Sequence, residues 1–148
     1  MIYWLIILLI IFNAPIFAFM AYVGLIKKHR EKVFLDDIRM PIDIYPTTKN
    51  RDWVIIRDFE AFKKYINSNP IPFYISFDND LGEFEDKTPK PEGVDVVKWI
   101  VFEKELDISN TDFKVHSANT ARRDYIEGTM NNWKDELIKR YEENKNGN

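Results

Sequence analysis

No cysteine occurs anywhere in the chain, so no disulfide can staple it. That absence agrees with a reducing compartment without requiring one. Charge is missing too, over one long stretch. From Ile2 to Ile26 only Asn13, Pro15 and Gly24 interrupt a run of aliphatic and aromatic side chains. No basic residue precedes that run, which sets aside a cleaved signal peptide, whose short apolar core follows a positive start. At about 1.5 Å per residue the run makes roughly 37 Å of helix, enough to cross a hydrocarbon core of about 30 Å. The expectation is a transmembrane helix over residues 2–26, kinked near Pro15, with the lipid bilayer as its partner. Lys27, Lys28, Arg30 and Lys32 follow at once. By the positive-inside tendency they predict a single-pass inner (cell) membrane protein with its N-terminus out and a cytoplasmic domain.

Nor is there a surplus of positive charge beyond that flank. After residue 32 there are 17 basic against 23 acidic side chains. Such a domain is a poor nonspecific binder of duplex DNA, whose phosphates demand cations. Internal repeats are absent, and low-complexity sequence is confined to the tail. The expected organisation is a transmembrane helix (1–26), a basic flank (27–32), one α/β domain (33–143) and a disordered tail (144–148). No feature identifies a protein partner, although Trp99 and Trp133 read as partly exposed contacts.

What is present in the domain alternates between strand and helix signals. Val33–Leu35, Trp53–Ile56, Pro72–Phe77 and Phe113–Ser117 are short apolar runs, read as buried strands. Pro41–Asn50 reads as a loop. Asp58 is placed to cap a helix carrying Phe59, Phe62 and Ile66, and Val94–Leu106 has helical spacing. Thr120 is the expected cap of a last helix with a stripe of Ile126, Met130, Trp133, Leu137 and Tyr141. Strands that run apolar on average, alternating with helices, predict a mainly parallel four-stranded sheet in an α/β sandwich.

In such a sheet, ligands bind at the carboxyl ends of the strands, near a switch in strand order. The first strand ends in Asp36-Asp37 with Arg39 close behind, the third in Asp78 and Asp80, and the fourth in His116-Ser117 with Asn119. Carboxylates converging there would repel one another, and a hard divalent cation, Mg²⁺ or Mn²⁺, resolves the conflict. Asp36, Asp37 and Asp78 are the expected metal ligands, with Asp80 in support. Arg39 offers a fork to phosphate oxygens, and His116 is the group able to exchange protons near neutrality. Taken singly, each has a plainer reading: acids as caps or solvated loop, Asp78–Gly82 as a tight turn, His116 as a half-buried ring, Thr120 as a cap.

Asp37-Ile38-Arg39-Met40-Pro41 matches the phosphoacceptor string of response-regulator receivers. There, however, the string ends the third strand, and here it ends the first. The ensemble of Val33 to Pro41, Ile75 to Gly82 and Val115 to Asn119 instead resembles cyclic-phosphate processing receiver domains, in the same block order and over 33 to about 135. The resemblance implies a receiver-like three-layer sandwich acting on cyclic phosphates, of RNA ends or small nucleotides. It implies an acid pair with an arginine (Asp36, Asp37, Arg39), catalytic acids at Asp78 and Asp80, a His-Ser-x-Asn element (His116, Ser117, Asn119) and a later arginine at Arg123. Arg39, Ser117, Asn119 and Arg123 would then contact phosphate, and His116 would be the general acid or base. Two positions depart from the family pattern: Asn79 replaces a histidine, and Arg122 replaces the glycine usual before the later arginine. A fifth strand and its lysine, present in true receivers, are missing. The expected activity is a membrane-anchored, metal-dependent phosphoesterase (a hydrolase). The alternatives are a catalytically degenerate nucleotide-binding module and a membrane-tethered adaptor.

Overall fold

The computed structural model describes residues 31–147. Strand β1 is Lys32–Leu35, followed by a one-turn helix α1 (Pro41–Ile44) and a 3-10 turn at Asn50–Asp52. Then come β2 (Val54–Ile56), α2 (Phe59–Ser68), β3 (Tyr74–Phe77), α3 (Gly93–Lys98), β4 (Asp112–Val115) and α4 (Thr120–Asn146). The strand order is β2-β1-β3-β4, and all three pairings are parallel. The chain steps one way from β1 to β2 and the other way from β2 to β3, so the switch point lies between β1 and β3.

Alternation along the strands sorts the two faces. Val33, Leu35, Ile56, Ile75, Phe77 and Val115 meet Phe62, Ile66, Val97, Ile100, Ile126 and Met130 in one buried cluster. Helices α2, α3 and α4 therefore share one face, and each large side chain sealed there contributes about 1.5–3 kcal/mol. The opposite face, with Phe34, Tyr74 and Ser76, is covered by the 41–53 segment. Trp53 packs edge-on against Phe34, with ring centres 5.9 Å apart, and stacks on Tyr45 at 5.3 Å. The outer layer on this side is a loop with one helical turn.

Several local expectations are corrected. Asn119, and not Thr120, caps α4: its side chain accepts from the Arg122 amide at 3.1 Å. The segment after α3 widens into a π-turn, Trp99–Glu103, where the Lys104 amide donates back to Trp99 O. Trp99 is buried, and Tyr141, assigned to the inward stripe, is exposed. Helix α4 continues through 144–146, its exposed surface carrying i,i+4 ion pairs such as Lys139–Glu143.

The expected membrane span over 2–26 lies outside the described residues. Among the described residues no helix is long and apolar enough to cross a membrane. The longest, α4, has 27 residues, but Arg, Lys, Asp and Glu recur on every turn or two, and burying such charges in hydrocarbon is prohibitive. The expectation of a membrane anchor is corrected to that finding, which covers the described residues alone. The bilayer partner, the N-out topology, the membrane-bound location with its cytoplasmic domain and the tethered adaptor go with it, and none is carried further.

Candidate metal and phosphate site

The strand register decides where the polar residues land. Leu35 is paired with Ile56 on one side and Phe77 on the other, and Phe77 with Val115. The next residue on each strand therefore forms a row across the carboxyl edge: Arg57, Asp36, Asp78, His116. Backbone bonds continue the ladder into that row, with Asp36 N donating to Ile56 O, Asp78 N to Leu35 O and His116 N to Phe77 O at 2.8–3.1 Å. The row sits at the switch point, where an open parallel sheet splays its loops apart. A cleft of about 780 Å³ opens there, lined by Asp36, Asp37, Arg39, Asp78, Asp80, Ser117 and Asn119 among others.

Asp36 is fully buried. Its Oδ1 accepts from the amides of Ile38 (2.9 Å) and Arg39 (2.6 Å). Its Oδ2 takes Arg39 Nε at 2.6 Å and faces His116 Nε2 at 3.0 Å. Burial alone would push this carboxyl up. The His116 hydrogen bond, the two amides and the Arg39 charge outweigh it and hold Asp36 well below the usual carboxylate range. Four donors fill the lone-pair sites of this carboxylate. Arg39 also reaches Asp78 Oδ2 through Nη2 at 2.7 Å, so one guanidinium bridges the acids of β1 and β3. Its own pKa is raised: burial works against the charge, and the carboxylates of Asp78 and Asp36 more than compensate.

Asp37 is placed differently. Among the described residues no cation pairs with it, and its carboxyl is pushed up by burial and by the charges of Asp36, Asp80 and Asp78. Gly82, with a φ of +83°, turns the chain beside it, and a Cβ there would stand 2.8 Å from Asp37 Oδ2. One oxygen from each of Asp36, Asp37 and Asp78 lies within 4.8 Å of the others, a cluster able to coordinate a divalent metal. The donors fit such an ion: all are hard carboxylate oxygens, Asp37 lacks a counter-charge, and the glycine keeps the space beside it open. Asp37 and Asp78 have lone pairs to give, whereas Asp36 gains one only when a present donor lets go.

His116 does not line the cleft. Its ring is 3% exposed, stacks on Phe34 with ring centres 4.7 Å apart, and has both nitrogens engaged, Nε2 with Asp36 and Nδ1 with Ser76 Oγ at 2.7 Å. The ring expected as general acid or base is thus engaged on both edges, and its neighbour in the cleft lining is Asp36. Ser117 Oγ accepts from the Asn119 amide at 3.3 Å, and both residues form the wall at the start of α4. Asp80 is exposed, with Oδ1 accepting from the Gly82 amide. Arg123 is half-buried in the first turn of α4 and stands outside the cleft lining. Arg122, the residue in the glycine position, faces Glu92 at 3.6 Å.

Asn79 is buried and structural. Its carbonyl accepts from the Gly93 amide and its side-chain oxygen from the Val94 amide, while Nδ2 donates to Glu92. A Cβ on Gly93 would sit 2.2 Å from Asp78 O, so only glycine lets α3 start this close to the end of β3.

Sequence reasoning missed Arg57, whose Nη1 donates to the carbonyls of Asp36 (2.8 Å) and Arg39 (2.7 Å) and so clamps the acidic loop from β2. Its place directly after an apolar strand was the available signal. Ser76 left a signal too, a serine between apolar residues of a strand. Tyr45, which reaches it across the sheet face, carried no signal.

The model of the cyclic-phosphate processing receiver domain matches residues 31–132. The chain belongs to this family. Searches of curated proteins and of solved structures returned no match. Within the cyclic-phosphate processing receiver domain, the matched span runs from just before β1 into α4 and so contains the whole edge row and both walls of the cleft.

Proposed function

We propose that the domain is a metal-dependent phosphoesterase that opens cyclic phosphates, on RNA ends or small nucleotides. The observation that carries this reading is the Asp36–Asp37–Asp78 cluster at the β1/β3 switch point of a chain belonging to this family. Asp37 and Asp78 would hold the cation, with Asp36 behind them. A divalent ion there supplies Lewis acidity toward a phosphoryl oxygen. Arg39 is fixed by Asp36 and Asp78 through one N–H each at Nε and Nη2, which leaves further N–H groups for phosphate oxygens. Ser117 and Asn119 offer polar contacts on the opposite wall. Asp80, exposed and with an oxygen to spare, is the base in this reading. It takes a proton from the attacking water and passes one to the leaving ester oxygen as the P–O ring bond breaks.

The test is turnover of a 2′,3′-cyclic nucleotide by the full chain with Mn²⁺. Asp37→Asn and Asp80→Asn are expected to lower kcat/KM by about 100-fold or more, the upper end of what disturbing a metal's surroundings costs. Wild-type protein no more active than Asp37→Asn would remove the enzymatic reading. Asn79, standing where the family carries a histidine, favours a second one: a domain that binds nucleotide without turning it over. Calorimetry with unchanged ligand recovered afterwards would identify that case.

A further inference from the structure

Behind the cleft runs a line of hydrogen bonds that the proposed chemistry does not use. His116 Nδ1 lies 2.7 Å from Ser76 Oγ, Ser76 Oγ lies 2.8 Å from Tyr45 Oη, and Tyr45 Oη lies 3.5 Å from Tyr74 Oη. Ser76 is completely buried, in the middle of β3, between apolar neighbours. An unbonded hydroxyl there would cost about 1–3 kcal/mol, whereas alanine would cost little, so the hydroxyl calls for a reason. Tyr45 comes from the 41–53 segment, on the sheet face away from the main core, and its ring is held by the stack on Trp53.

The direction of the line follows from its inner end. Asp36 already accepts from three N–H donors, so the proton between it and His116 belongs to Nε2. In the neutral ring Nδ1 is then an acceptor, and the only hydroxyl facing it is Ser76. Ser76, having given its single proton to Nδ1, accepts from Tyr45. Which nitrogen of an imidazole carries the proton is set by the bond its other nitrogen makes. Phe34 fixes the ring's plane, and Ser76 fixes which edge faces inward.

We propose that Ser76 and Tyr45 are positioning residues that orient His116, and through it aim the Asp36 carboxylate within the metal-binding cluster. This rests on the metal-site half of the reading above and not on turnover. Neither residue touches the cleft, and their effect reaches it through two side chains.

The test uses the full chain, whose two histidines, His29 and His116, give an internal reference. Imidazole ¹⁵N spectra, taken alkaline enough to leave both rings neutral, report the tautomer. Wild type is expected to show an Nε2–H ring at His116 whose Nδ1 signal is shifted by its hydrogen bond, and Ser76→Ala an Nδ1 signal moved toward the unbonded position, with His29 unchanged. Tyr45→Phe keeps the ring stack and should fall between them. Calorimetry with Mn²⁺ alone should show affinity falling on the order of 10-fold in Ser76→Ala, as for other partners that hold a ligand in place. Tyr45→Phe should lose less. An unaltered His116 Nδ1 signal in Ser76→Ala, equal Mn²⁺ affinity in the three proteins, or no Mn²⁺ uptake by wild type would each overturn the proposal. Mn²⁺ uptake that depends on Ser76, without cyclic-nucleotide turnover, would support it while defeating the enzymatic reading.

Discussion

Gly82 carries a left-handed φ of +83°, and its missing side chain leaves room for Asp37 Oδ2. Alanine there meets two penalties. The backbone conformation costs an L-residue about 1–2 kcal/mol, and the new Cβ crowds the one carboxylate of the cluster that has no counter-charge. Gly82→Ala is expected to lower unfolding free energy by about that amount in denaturant titrations, and to weaken Mn²⁺ binding measured calorimetrically. Stability lost with metal affinity intact would mean that Asp37 is not a ligand. At this scale the acids of the cluster were legible, because Asp36 and Asp78 each follow a strand directly and Asp37 stands next to Asp36. The role of His116 was not. Residue type says that an imidazole can exchange protons, and only the packing of Phe34 and Ser76 against it shows that neither edge is open.

Among the elements, α4 begins at the cleft wall, and its start depends on Asn119. The Asn119 side chain accepts from the Arg122 amide, one of the otherwise unpaired donors of the first turn. Asn119→Ala is expected to destabilise the domain by about 1 kcal/mol, whereas Thr120→Ala should change stability by a few tenths at most. Thermal melts of the two variants decide between the caps, and the reverse ranking would return the role to Thr120. The sequence could not separate them, since Asn119-Thr120 offers two good caps in succession and a one-residue shift leaves the helical stripe nearly unchanged. The strands were readable because they are short and the first three carry runs of apolar residues. The π-turn at Trp99–Glu103 was not, since its apolar spacing resembles that of an ordinary helix. Pro41–Asn50 reads as a loop because its one helical turn is too brief to show a period, yet Tyr45 from it and Trp53 just beyond it cover the second face.

For the molecule as a whole, the acidic cluster ties stability to pH in two opposed ways. Asp36 has a depressed folded pKa, so its contribution is fully present above the ordinary value of 3.8 and is lost as pH falls from there toward the folded value. Asp37 has a raised folded pKa, so it costs stability above that value, and the cost fades as pH falls through it toward 3.8. Mild acidification should therefore stabilise the metal-free protein slightly, before stronger acid unfolds it. Asp37→Asn should abolish the slight rise and add about 0.5 kcal/mol near neutrality, a figure kept small because solvent screens a partly exposed group. Mn²⁺ at a hundred times its Kd should stabilise wild type by about 2.7 kcal/mol, and Asp37→Asn by far less. Urea titrations across pH, with and without Mn²⁺, read all of these. A flat acid limb in wild type would show that the two carboxyls are not coupled as described.

Arg39 spans Asp36 and Asp78 with one flat, permanently positive group. The chain thus brings its own ballast for the crowded edge and can complete its fold before any ion arrives. An incoming metal then meets a finished pocket in which Asp36 is fully engaged and Asp78 shares one oxygen with Arg39. Uptake becomes an exchange of partners, in which every contact Arg39 surrenders frees that arginine to turn toward an anion arriving from the open side.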